Sequence, residues 1–289
     1  MTAAIEVQGL QKSFGRQRVL HDLDLIVDGG VVALLGPTGA GKSTLVSILT
    51  TILRPDAGIV RVQGYDAVGE ARAVRALLRV TGQSPSLDEL LSGRDNLVIL
   101  GKLLGLGRRS ARRADEMLER LNLADAGRKP VRSYSGGMRR RLDLAASLIS
   151  PAALLILDEP TTGLDPVSRS RVWEDIRALT RNGTTVLLTT QTLDEAEALA
   201  DRVTVLDRGQ IVADGTVSEL TALVGGQTVA LVDSTGRTLQ RADTDGSPAS
   251  IAAALAGMPH RDDVRVEFHS PSLEDAFAKI TQTAKEPVA

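Results

Sequence analysis

The stretch of sequence that decides the fold is Gly36-Pro37-Thr38-Gly39-Ala40-Gly41-Lys42-Ser43-Thr44. It matches the pattern G-x-x-x-x-G-K-[ST] in full, which is typical of loops that bind nucleotide phosphates. Glycine lets such a loop turn tightly and brings backbone N–H groups against phosphate oxygens, since no Cβ obstructs the approach. Lys42 supplies a cation for the phosphates, and Ser43 supplies a hydroxyl for magnesium. The sequence therefore predicts a site for a nucleoside triphosphate with Mg²⁺.

The segments on either side of this phosphate loop (residues 36–44) fit a strand–loop–helix unit. Residues 31–35, VVALL, form a continuous apolar run, as expected of a buried parallel strand. Apolar residues then recur at helical spacing over residues 45–52. We predict that this helix ends at Leu53 or Arg54, because Pro55 disfavours a helical residue before it. The alternative, a glycine-rich turn without a ligand, would match the pattern by chance in about one such chain in a hundred.

Composition narrows the class of protein. With 289 residues, 43% of them hydrophobic, the chain can hold one large domain or a domain of about 200 residues with a small appendage. A net charge of −2 argues against a surface built for the nucleic-acid backbone, and the absence of cysteine excludes disulfides and thiolate chemistry. The sequence shows neither an N-terminal signal nor an apolar run long enough to cross a membrane, so we expect a cytoplasmic protein.

Two further stretches are predicted to be strands of the same parallel sheet. Residues 153–157 lead directly into two carboxylates, Asp158 and Glu159. Open α/β sheets place ligands at the carboxyl ends of their strands, so one carboxylate is expected to hold hydrated magnesium. The other is expected to orient or deprotonate an attacking water. The alternative is a solvated acidic strand end. Residues 184–190 form the third such strand, and Gln191 follows it.

The remaining patterns divide the chain into segments. Residues 5–10 and 19–27 alternate as a strand pair around a turn at residues 12–15. At this turn Phe14 either stacks on a purine ring or is a minor core residue. Residues 70–79 are predicted to be helical, and residues 80–85 to be irregular. From residue 87 to about 150 the pattern is helical throughout, with helices predicted at residues 90–106, 110–121 and 138–149, which suggests a subdomain that can move.

The last third of the chain combines strands and helices. A helix is predicted at residues 167–180, another at 193–200, and a hairpin across residues 207–209. Beyond about residue 220, strands are predicted at residues 227–232, 237–242 and 264–269, with a helix at 250–256. A last helix begins at Ser272 with the spacing of a capping box. This part is therefore predicted to be a small α+β appendage.

Taken together, residues 1 to about 220 resemble the ATP-binding subunit of an ABC transporter. The segments that carry the resemblance are the phosphate loop, Gln83, Tyr134-Ser135-Gly136-Gly137-Met138-Arg139, Asp158-Glu159, Gly163-Leu164-Asp165 and the position of Gln191. The Ser-Gly-Gly segment (residues 135–137) is decisive, because other phosphate-loop ATPases lack it. The resemblance implies an α/β fold of ABC type over residues 1–220, with a RecA-like core, an antiparallel β subdomain and a helical subdomain at about residues 85–150. A small α+β domain over residues 221–289 would follow.

The resemblance also implies a mechanism in which two copies meet head to tail around two ATP molecules. The phosphate loop of one copy binds ATP, with Lys42 on the β- and γ-phosphates. Ser135, Gly136 and Gly137 of the other copy cap the γ-phosphate. The implied magnesium ligands are Ser43, Gln83 and Asp158. Glu159 is implied as the general base or water-positioning residue, Asp165 as the residue coupling the two sites, Phe14 as the adenine platform, and Val19 as part of the adenine pocket.

One departure from the family pattern lies at Gln191, where the family usually has a histidine that contacts the γ-phosphate. The histidines of this chain, at positions 21, 260 and 269, are elsewhere in the sequence. Glutamine can donate an amide hydrogen bond to a phosphate, but it cannot become cationic or relay a proton. The chemistry is therefore expected to be slower or to rest more heavily on Glu159. Gln191, together with residues 135–145 and 271–277, looks like the daunorubicin-resistance branch of drug exporters.

These features lead to one principal hypothesis and two alternatives. The principal hypothesis is an ATPase subunit at the cytoplasmic face of the membrane, which drives a separate membrane-embedded permease and exports a drug-like or lipid-like compound. Residues 84–97 would contact the permease, unless they form an ordinary connector. One alternative is an ATP-gated regulatory or binding module with little hydrolysis. Glutamine in place of histidine at position 191 is the reason to retain this alternative. The other is a soluble ABC ATPase acting on nucleic acid or ribosomes; the slightly acidic charge and the lack of a second ATPase domain count against it.

Overall fold

The computed structural model describes residues 3–81, 87–180, 183–258 and 264–283, and it divides into two units, residues 1–214 and 215–289. The strands of the first unit are β1 (Ile5–Phe14), β2 (Gln17–Val27), β3 (Val31–Leu35), β4 (Ala57–Val62), β5 (Tyr65–Asp66), β6 (Leu78–Thr81), β7 (Leu154–Asp158), β8 (Thr185–Thr190), β9 (Arg202–Asp207) and β10 (Gln210–Gly215). Its helices are α1 (Lys42–Leu49), α2 (Ala71–Leu77), α3 (Gly93–Leu103), α4 (Ser110–Arg120), α5 (Gly136–Ser147), α6 (Pro166–Thr180) and α7 (Leu193–Leu199). Among the described residues, no helix has both the length and the apolar character needed to cross a membrane.

A six-stranded sheet positions the candidate site. Its strand order is β10-β9-β3-β8-β7-β6, and β8 pairs in parallel with both β3 and β7. The three predicted parallel strands are confirmed, and their apolar residues are buried. In the register, Leu35 is opposite Thr190 and Asp158 is opposite Thr189. The segments that follow β3, β7 and β8 therefore lie side by side at the carboxyl ends of these parallel strands.

A four-stranded sheet of order β2-β1-β4-β5 packs against the first unit's core. The antiparallel pairing of β1 with β2 is confirmed, but the predicted turn at residues 12–15 is wrong. β1 continues to Phe14, which pairs with Gln17. Asp56 accepts hydrogen bonds from the Lys12 ammonium and the Ser13 N–H, both at 2.6 Å. These bonds hold the end of β1 extended, so the chain reverses only after Phe14.

The predicted end of α1 at residue 53 or 54 is also wrong, since the helix ends at Leu49. Thr51 adopts a left-handed backbone conformation with φ of +64°, which the helix cannot continue through. The N–H groups of Ile52 and Leu53 both turn back to the carbonyl oxygen of Ser47 at 2.9 Å. Ile52, expected on the buried helix face, is 83% exposed. Pro55 therefore acts on a chain that has already left the helix.

A short strand was missed where the sequence predicted a helix and then irregular structure. α2 ends at Leu77, and β6 follows at once, with Leu78 opposite Leu154 in a parallel pair. β6 has four residues and lies at the edge of its sheet, too short to show a period in the sequence. Residues 82–86 follow it and lie outside the described residues, and so does Gln83, the implied magnesium ligand.

The predicted helical stretch is confirmed as three α-helices, α3, α4 and α5, joined by short 3-10 turns. α3 starts later than the sequence predicted, because Ser92 caps it by accepting a hydrogen bond from the Asp95 N–H at 3.0 Å. α5 starts at Gly136 with Ser135 as its cap. Tyr134 is buried and donates a hydrogen bond to the Ala126 carbonyl oxygen at 2.8 Å, which fixes the chain just before α5.

The second unit is α+β, as predicted. Its elements are α8 (Val217–Ala222), β11 (Gln227–Asp233), β12 (Thr238–Thr244), α9 (Pro248–Ala256), β13 (Val264–His269) and α10 (Leu273–Thr283). β11 is the central strand of an antiparallel sheet of order β12-β11-β13. The predicted capping of the last helix is confirmed, because Ser272 and Asp275 exchange hydrogen bonds at 2.9 and 3.1 Å. The sequence missed α8, a helix of six residues.

Candidate functional site

The phosphate loop joins β3 to α1 and is fixed by backbone contacts. The Gly36 N–H donates to the Thr190 carbonyl oxygen at 3.4 Å, which ties the start of the loop to the end of β8. Gly41 precedes α1 with φ of +111°, and a Cβ there would lie 2.8 Å from Leu20 Cδ2. No other residue fits this position without strain. The loop therefore leads into the N-terminus of an eight-residue helix, where backbone N–H groups suit an anion.

Lys42 is 6% exposed and points its ammonium into the loop. Its Nζ donates to the carbonyl oxygens of Gly36 at 2.6 Å and Pro37 at 3.1 Å. Burial lowers the pKa of the Lys42 ammonium, and the negative charges of Glu159 and Asp158 oppose that shift. The loop lysine and the two carboxylates at the end of β7 therefore belong to one electrostatic environment. The Lys42 ammonium therefore places a positive charge at the start of α1, where it can bind a polyphosphate chain.

Asp158 and Glu159, the two predicted acidic residues, are held by Thr189 of β8 and by Thr162 in the turn after β7. Asp158 Oδ1 accepts a hydrogen bond from the Thr189 hydroxyl. The Glu159 N–H donates to the Thr189 carbonyl oxygen at 3.0 Å, and Glu159 Oε2 accepts from the Thr162 hydroxyl at 3.2 Å. Glu159 has φ of +47°, a left-handed conformation for a residue with a side chain. The two carboxylates are thus fixed by separate contacts.

The oxygen atoms near the loop suit magnesium. Mg²⁺ prefers hard oxygen ligands and is commonly bound by one or two carboxylates together with substrate phosphates. The Ser43 hydroxyl and the Asp158 carboxylate are ligands of that kind, and Ser43 is exposed in the first turn of α1. Within the described ranges, no group of three His, Cys, Asp or Glu side chains could hold a metal ion. This donor set therefore fits a cation that enters together with a nucleotide.

Gln191 follows β8 and contacts the phosphate loop directly. Its Oε1 accepts a hydrogen bond from the Thr38 hydroxyl at 3.1 Å. Both residues are exposed. The residue that departs from the family pattern therefore lies beside the phosphate-binding loop.

The Ser-Gly-Gly segment begins α5. Ser135 caps the helix, and its Oγ accepts a hydrogen bond from the Met138 N–H at 3.3 Å. Ser135 and Gly136 are exposed, whereas Gly137 is buried against Ser168 of α6. Asp165 lies before α6, where hydrogen bonds from Ser168 lower the pKa of the Asp165 carboxyl. The segment is thus presented on the surface by a helix of twelve residues.

The two residues assigned to the base pocket lie near the β1–β2 turn. Phe14 is 51% exposed, and the Lys12 ammonium lies 5.7 Å from the centre of its ring. Val19 lies against the phosphate loop, because its carbonyl oxygen is 3.3 Å from where a Cβ on Gly41 would be. Phe14 is therefore available for stacking, and Val19 borders the loop.

Sequence reasoning missed three residues that shape the site. Thr189 bonds to both Asp158 and Glu159, and its place near the carboxyl end of the strand predicted at residues 184–190 was a signal that could have indicated it. Arg140 of α5 donates to the carbonyl oxygens of Asp158 and Pro160. Glu195 of α7 is buried and accepts hydrogen bonds from the Thr161 hydroxyl at 2.6 Å and from the Trp173 indole N–H at 3.2 Å. No local pattern in the sequence indicates the last two.

A cavity of 510 Å³ connects Glu159 with α5 in the same chain. Glu159 and Thr162 line one part of it, and Gly136, Arg139 and Arg140 line another. The start of α5 and the strand end of β7 therefore face one space.

Comparisons with known proteins agree on one family. The family model described as ABC transporter matches residues 20–162. A daunorubicin resistance ATP-binding protein of Streptomyces coeruleorubidus is 57% identical over 79% of this chain and 73% of its own length. A second protein of that description from the same organism is 47% identical over 98% of this chain and 86% of its length. A solved structure of the ATP-binding subunit of an ABC transporter, 24% identical, has the same fold, with a TM-score of 0.71 over 97% of this chain and 100% of that one. The chain therefore belongs to the drug-resistance family of ABC transporter ATP-binding subunits, which hydrolyse ATP to drive transport.

Proposed function

We propose that this protein acts as a head-to-tail dimer that hydrolyses two Mg-ATP molecules and drives a separate membrane permease. The observation that supports the proposal is the environment of Lys42. Its ammonium lies within the phosphate loop and interacts electrostatically with the carboxylates of Glu159 and Asp158. A phosphate-binding cation, a magnesium carboxylate and a general base are the parts that phosphoryl transfer to water requires.

Each side chain has a role that follows from its chemistry. Lys42 exchanges its carbonyl partners for the β- and γ-phosphates, while the backbone N–H groups of the phosphate loop bind the remaining oxygens. Ser43 and Asp158, with Gln83, hold Mg²⁺, which neutralises charge on the phosphates when bound. Glu159 accepts a proton from the attacking water or positions it, and Thr162 orients the Glu159 carboxylate. Gln191 contacts the γ-phosphate.

Dimerisation supplies the remaining contacts. Ser135 and Gly136 are exposed at the N-terminus of α5, where N–H groups and the helix dipole favour an anion. We propose that they cap the γ-phosphate held by the partner's phosphate loop and that Asp165 links the two sites. ATP would then favour the dimer, because it contacts both copies. Phe14 and Val19 would hold the adenine.

The transported compound is proposed from the relatives. Two relatives carry daunorubicin resistance in their names, so we propose that this protein, at the cytoplasmic face of the membrane, drives the export of a drug-like or lipid-like compound through a membrane-embedded permease. Residues 84–97 are proposed to contact that permease. Among those that the structure describes, Leu90 is an exposed apolar side chain.

The test is magnesium-dependent ATP hydrolysis by purified protein. Wild type is expected to release phosphate, whereas Glu159→Gln is expected to reduce kcat at least about a hundredfold and to accumulate an ATP-bound dimer, detected by light scattering. Glu174→Gln, an exposed position on α6, is the matched control and should behave as wild type. A wild type that binds ATP but stays inert, even with its permease in lipid, would instead indicate a nucleotide-gated binding module. Equal activity of Glu159→Gln and wild type would rule out the proposed base.

A further inference from the structure

Glu159 has a backbone conformation that its surroundings must impose. Its φ of +47° lies in the left-handed region, which residues with a Cβ seldom adopt. Thr189 holds one side of this residue, since the Glu159 N–H donates to the Thr189 carbonyl oxygen at 3.0 Å. The direction of the Glu159 side chain depends on this conformation, so whatever holds the backbone also aims the carboxylate.

Arg140 holds the other side. Its Nη2 donates to the Asp158 carbonyl oxygen at 3.1 Å, and its Nε donates to the Pro160 carbonyl oxygen at 2.6 Å. One guanidinium therefore binds a carbonyl before Glu159 and a carbonyl after it. The Arg140 side chain is only 11% exposed, so these bonds compete little with water.

A third contact of the guanidinium fixes its orientation. Nη1 of Arg140 lies 3.3 Å from Oδ2 of Asp143, one turn further along α5. The planar fork of an arginine can reach two carbonyls and a carboxylate at fixed angles, whereas a lysine ammonium is a single point of donation. This geometry therefore depends on an arginine rather than on positive charge alone.

We propose that Arg140 is a positioning residue for ATP hydrolysis, which fixes the backbone on both sides of Glu159 and so aims its carboxylate at the attacking water. The inference rests on the proposed role of Glu159 as the base. Arg140 lies on the same helix as the exposed cap Ser135, so α5 would connect the Ser-Gly-Gly segment to the catalytic carboxylate of its own chain.

The first test compares Arg140→Met with wild type in steady-state ATP hydrolysis. We expect kcat to fall about ten- to a hundredfold, because a small misplacement of a catalytic group has effects of that size. The KM for ATP and the affinity for a fluorescent ATP analogue should stay within about twofold, since Arg140 does not belong to the phosphate loop. Unchanged kcat in Arg140→Met would overturn the inference.

Arg113→Met is the matched control for the loss of a structural arginine. Arg113 also binds two carbonyl oxygens, those of Ile149 at 3.2 Å and Leu148 at 3.1 Å, beyond the far end of α5. It also pairs with an acidic residue, Glu116, at 3.2 Å. We expect Arg113→Met to lower the melting temperature about as much as Arg140→Met while leaving kcat unchanged. Equal losses of kcat in the two variants would indicate a general structural effect and would contradict the inference.

Arg140→Lys covers the case in which Arg140→Met does not fold. It keeps a positive charge beside Asp143 but removes the fork. We expect a melting temperature close to that of wild type and a kcat between those of wild type and Arg140→Met. A folded Arg140→Lys with wild-type kcat would overturn the inference.

A double variant separates this inference from the proposed function. If Arg140 acts through Glu159, adding Arg140→Met to Glu159→Gln should lower the single-turnover rate by no more than about twofold. A further loss as large as in the wild-type background would show that Arg140 acts independently of Glu159. If Glu159→Gln alone leaves hydrolysis unchanged, the proposed function fails. If Glu159→Gln is inactive but Arg140→Met retains full kcat, only the inference fails.

Discussion

Thr38 in the phosphate loop donates a hydrogen bond to Gln191 Oε1 at 3.1 Å, which joins the loop to the residue after β8. Gln191 stands where the family usually has a histidine. An amide carries no charge at any pH, whereas an unperturbed imidazole titrates near pH 6.5. If residue 191 contacts a phosphate as proposed, its chemical type decides whether that contact depends on pH.

Gln191→His should introduce a pH dependence that wild type lacks. We expect the ratio of variant kcat to wild-type kcat to rise as pH falls from about 8 to 6, because protonated histidine places a positive charge near the γ-phosphate. The measurement is the pH–rate profile of both proteins at saturating ATP. Gln191→Ala is the control, and its ratio to wild type should be below one and constant with pH. A constant ratio for Gln191→His would contradict the prediction.

Asp143 should make the stability of the protein depend on pH. Burial raises the pKa of the Asp143 carboxyl to about 6, against the opposing charge of Arg140. At a pH below the pKa of this carboxyl in the unfolded chain, the carboxyl is neutral in both states and its burial carries no charge penalty. The unfolding free energy then falls as the pH rises from that value to the folded pKa of about 6. Asp143→Asn should therefore gain unfolding free energy relative to wild type between pH 4 and 7, by up to about 3 kcal/mol. Denaturant unfolding across that range measures the difference.

Asp115 provides the control of opposite sign. A hydrogen bond and charge from Arg94 hold the pKa of the Asp115 carboxyl below its usual value. The ionised Asp115 carboxylate therefore stabilises the folded protein at a pH above the pKa of this group in the unfolded chain. This stabilisation is lost as the pH falls through the lower pKa that Asp115 has in the folded protein. Asp115→Asn should be less stable than wild type near neutral pH, and this difference should shrink in acid. Parallel curves for the Asp143 and Asp115 variants would contradict the assignment.

The parts of the fold that the sequence predicted are those with local signals. β3 is a continuous apolar run, β7 is apolar up to Asp158, and β8 has an apolar centre, so their burial could be inferred. The phosphate loop, Glu159 and Gln191 follow these three strands, so a common site at their carboxyl ends could be inferred as well. α1 was found because a phosphate loop requires a helix after it. Its end at Leu49 was not found, because nothing in the sequence marks Thr51 as left-handed.

The missed parts of the site depend on contacts between distant segments. Arg140 looked like one of several arginines on a helix face, but α5 packs so that its guanidinium meets the carbonyls beside Glu159. Glu195 lies in a helix of ordinary amphipathic pattern, and it is buried where Thr161 and Trp173 donate hydrogen bonds to its carboxylate. Such burial follows from tertiary packing, which residue spacing does not encode.

Phe14→Ala should weaken ATP binding. The Phe14 ring is 51% exposed at the β1–β2 turn, and stacking of an aromatic side chain on a base contributes about 1–3 kcal/mol, which is about 5- to 150-fold in affinity. Titration with a fluorescent ATP analogue measures this loss, and Phe14→Trp should restore affinity. Phe268→Ala is the control, since Phe268 is 49% exposed but belongs to the second unit. Equal loss in both alanine variants would rule out a base platform at Phe14.

Gly136 and Gly137 form a matched pair for testing how tightly α5 packs. A Cβ on Gly137 would lie 2.5 Å from Ser168 Oγ, whereas a Cβ on Gly136 would meet only Leu164 Cδ2 at 3.9 Å. Gly137→Ala should therefore cost about 1–3 kcal/mol of unfolding free energy, as overpacking does. Gly136→Ala should change stability by less than about 0.5 kcal/mol, as exposed substitutions usually do.

Chemical denaturation of the two variants measures the difference, and a second substitution identifies its cause. Because the obstructing atoms are Oγ and Cβ of Ser168, Ser168→Gly should remove most of the cost of Gly137→Ala. Ser168→Gly alone sets the baseline, since it carries its own cost as a glycine within α6. The coupling energy from this double-mutant cycle should therefore be favourable by about 1 kcal/mol or more. A coupling energy near zero would mean that α5 and α6 can separate without loss, and that the close approach at Gly137 does not fix the Ser-Gly-Gly segment.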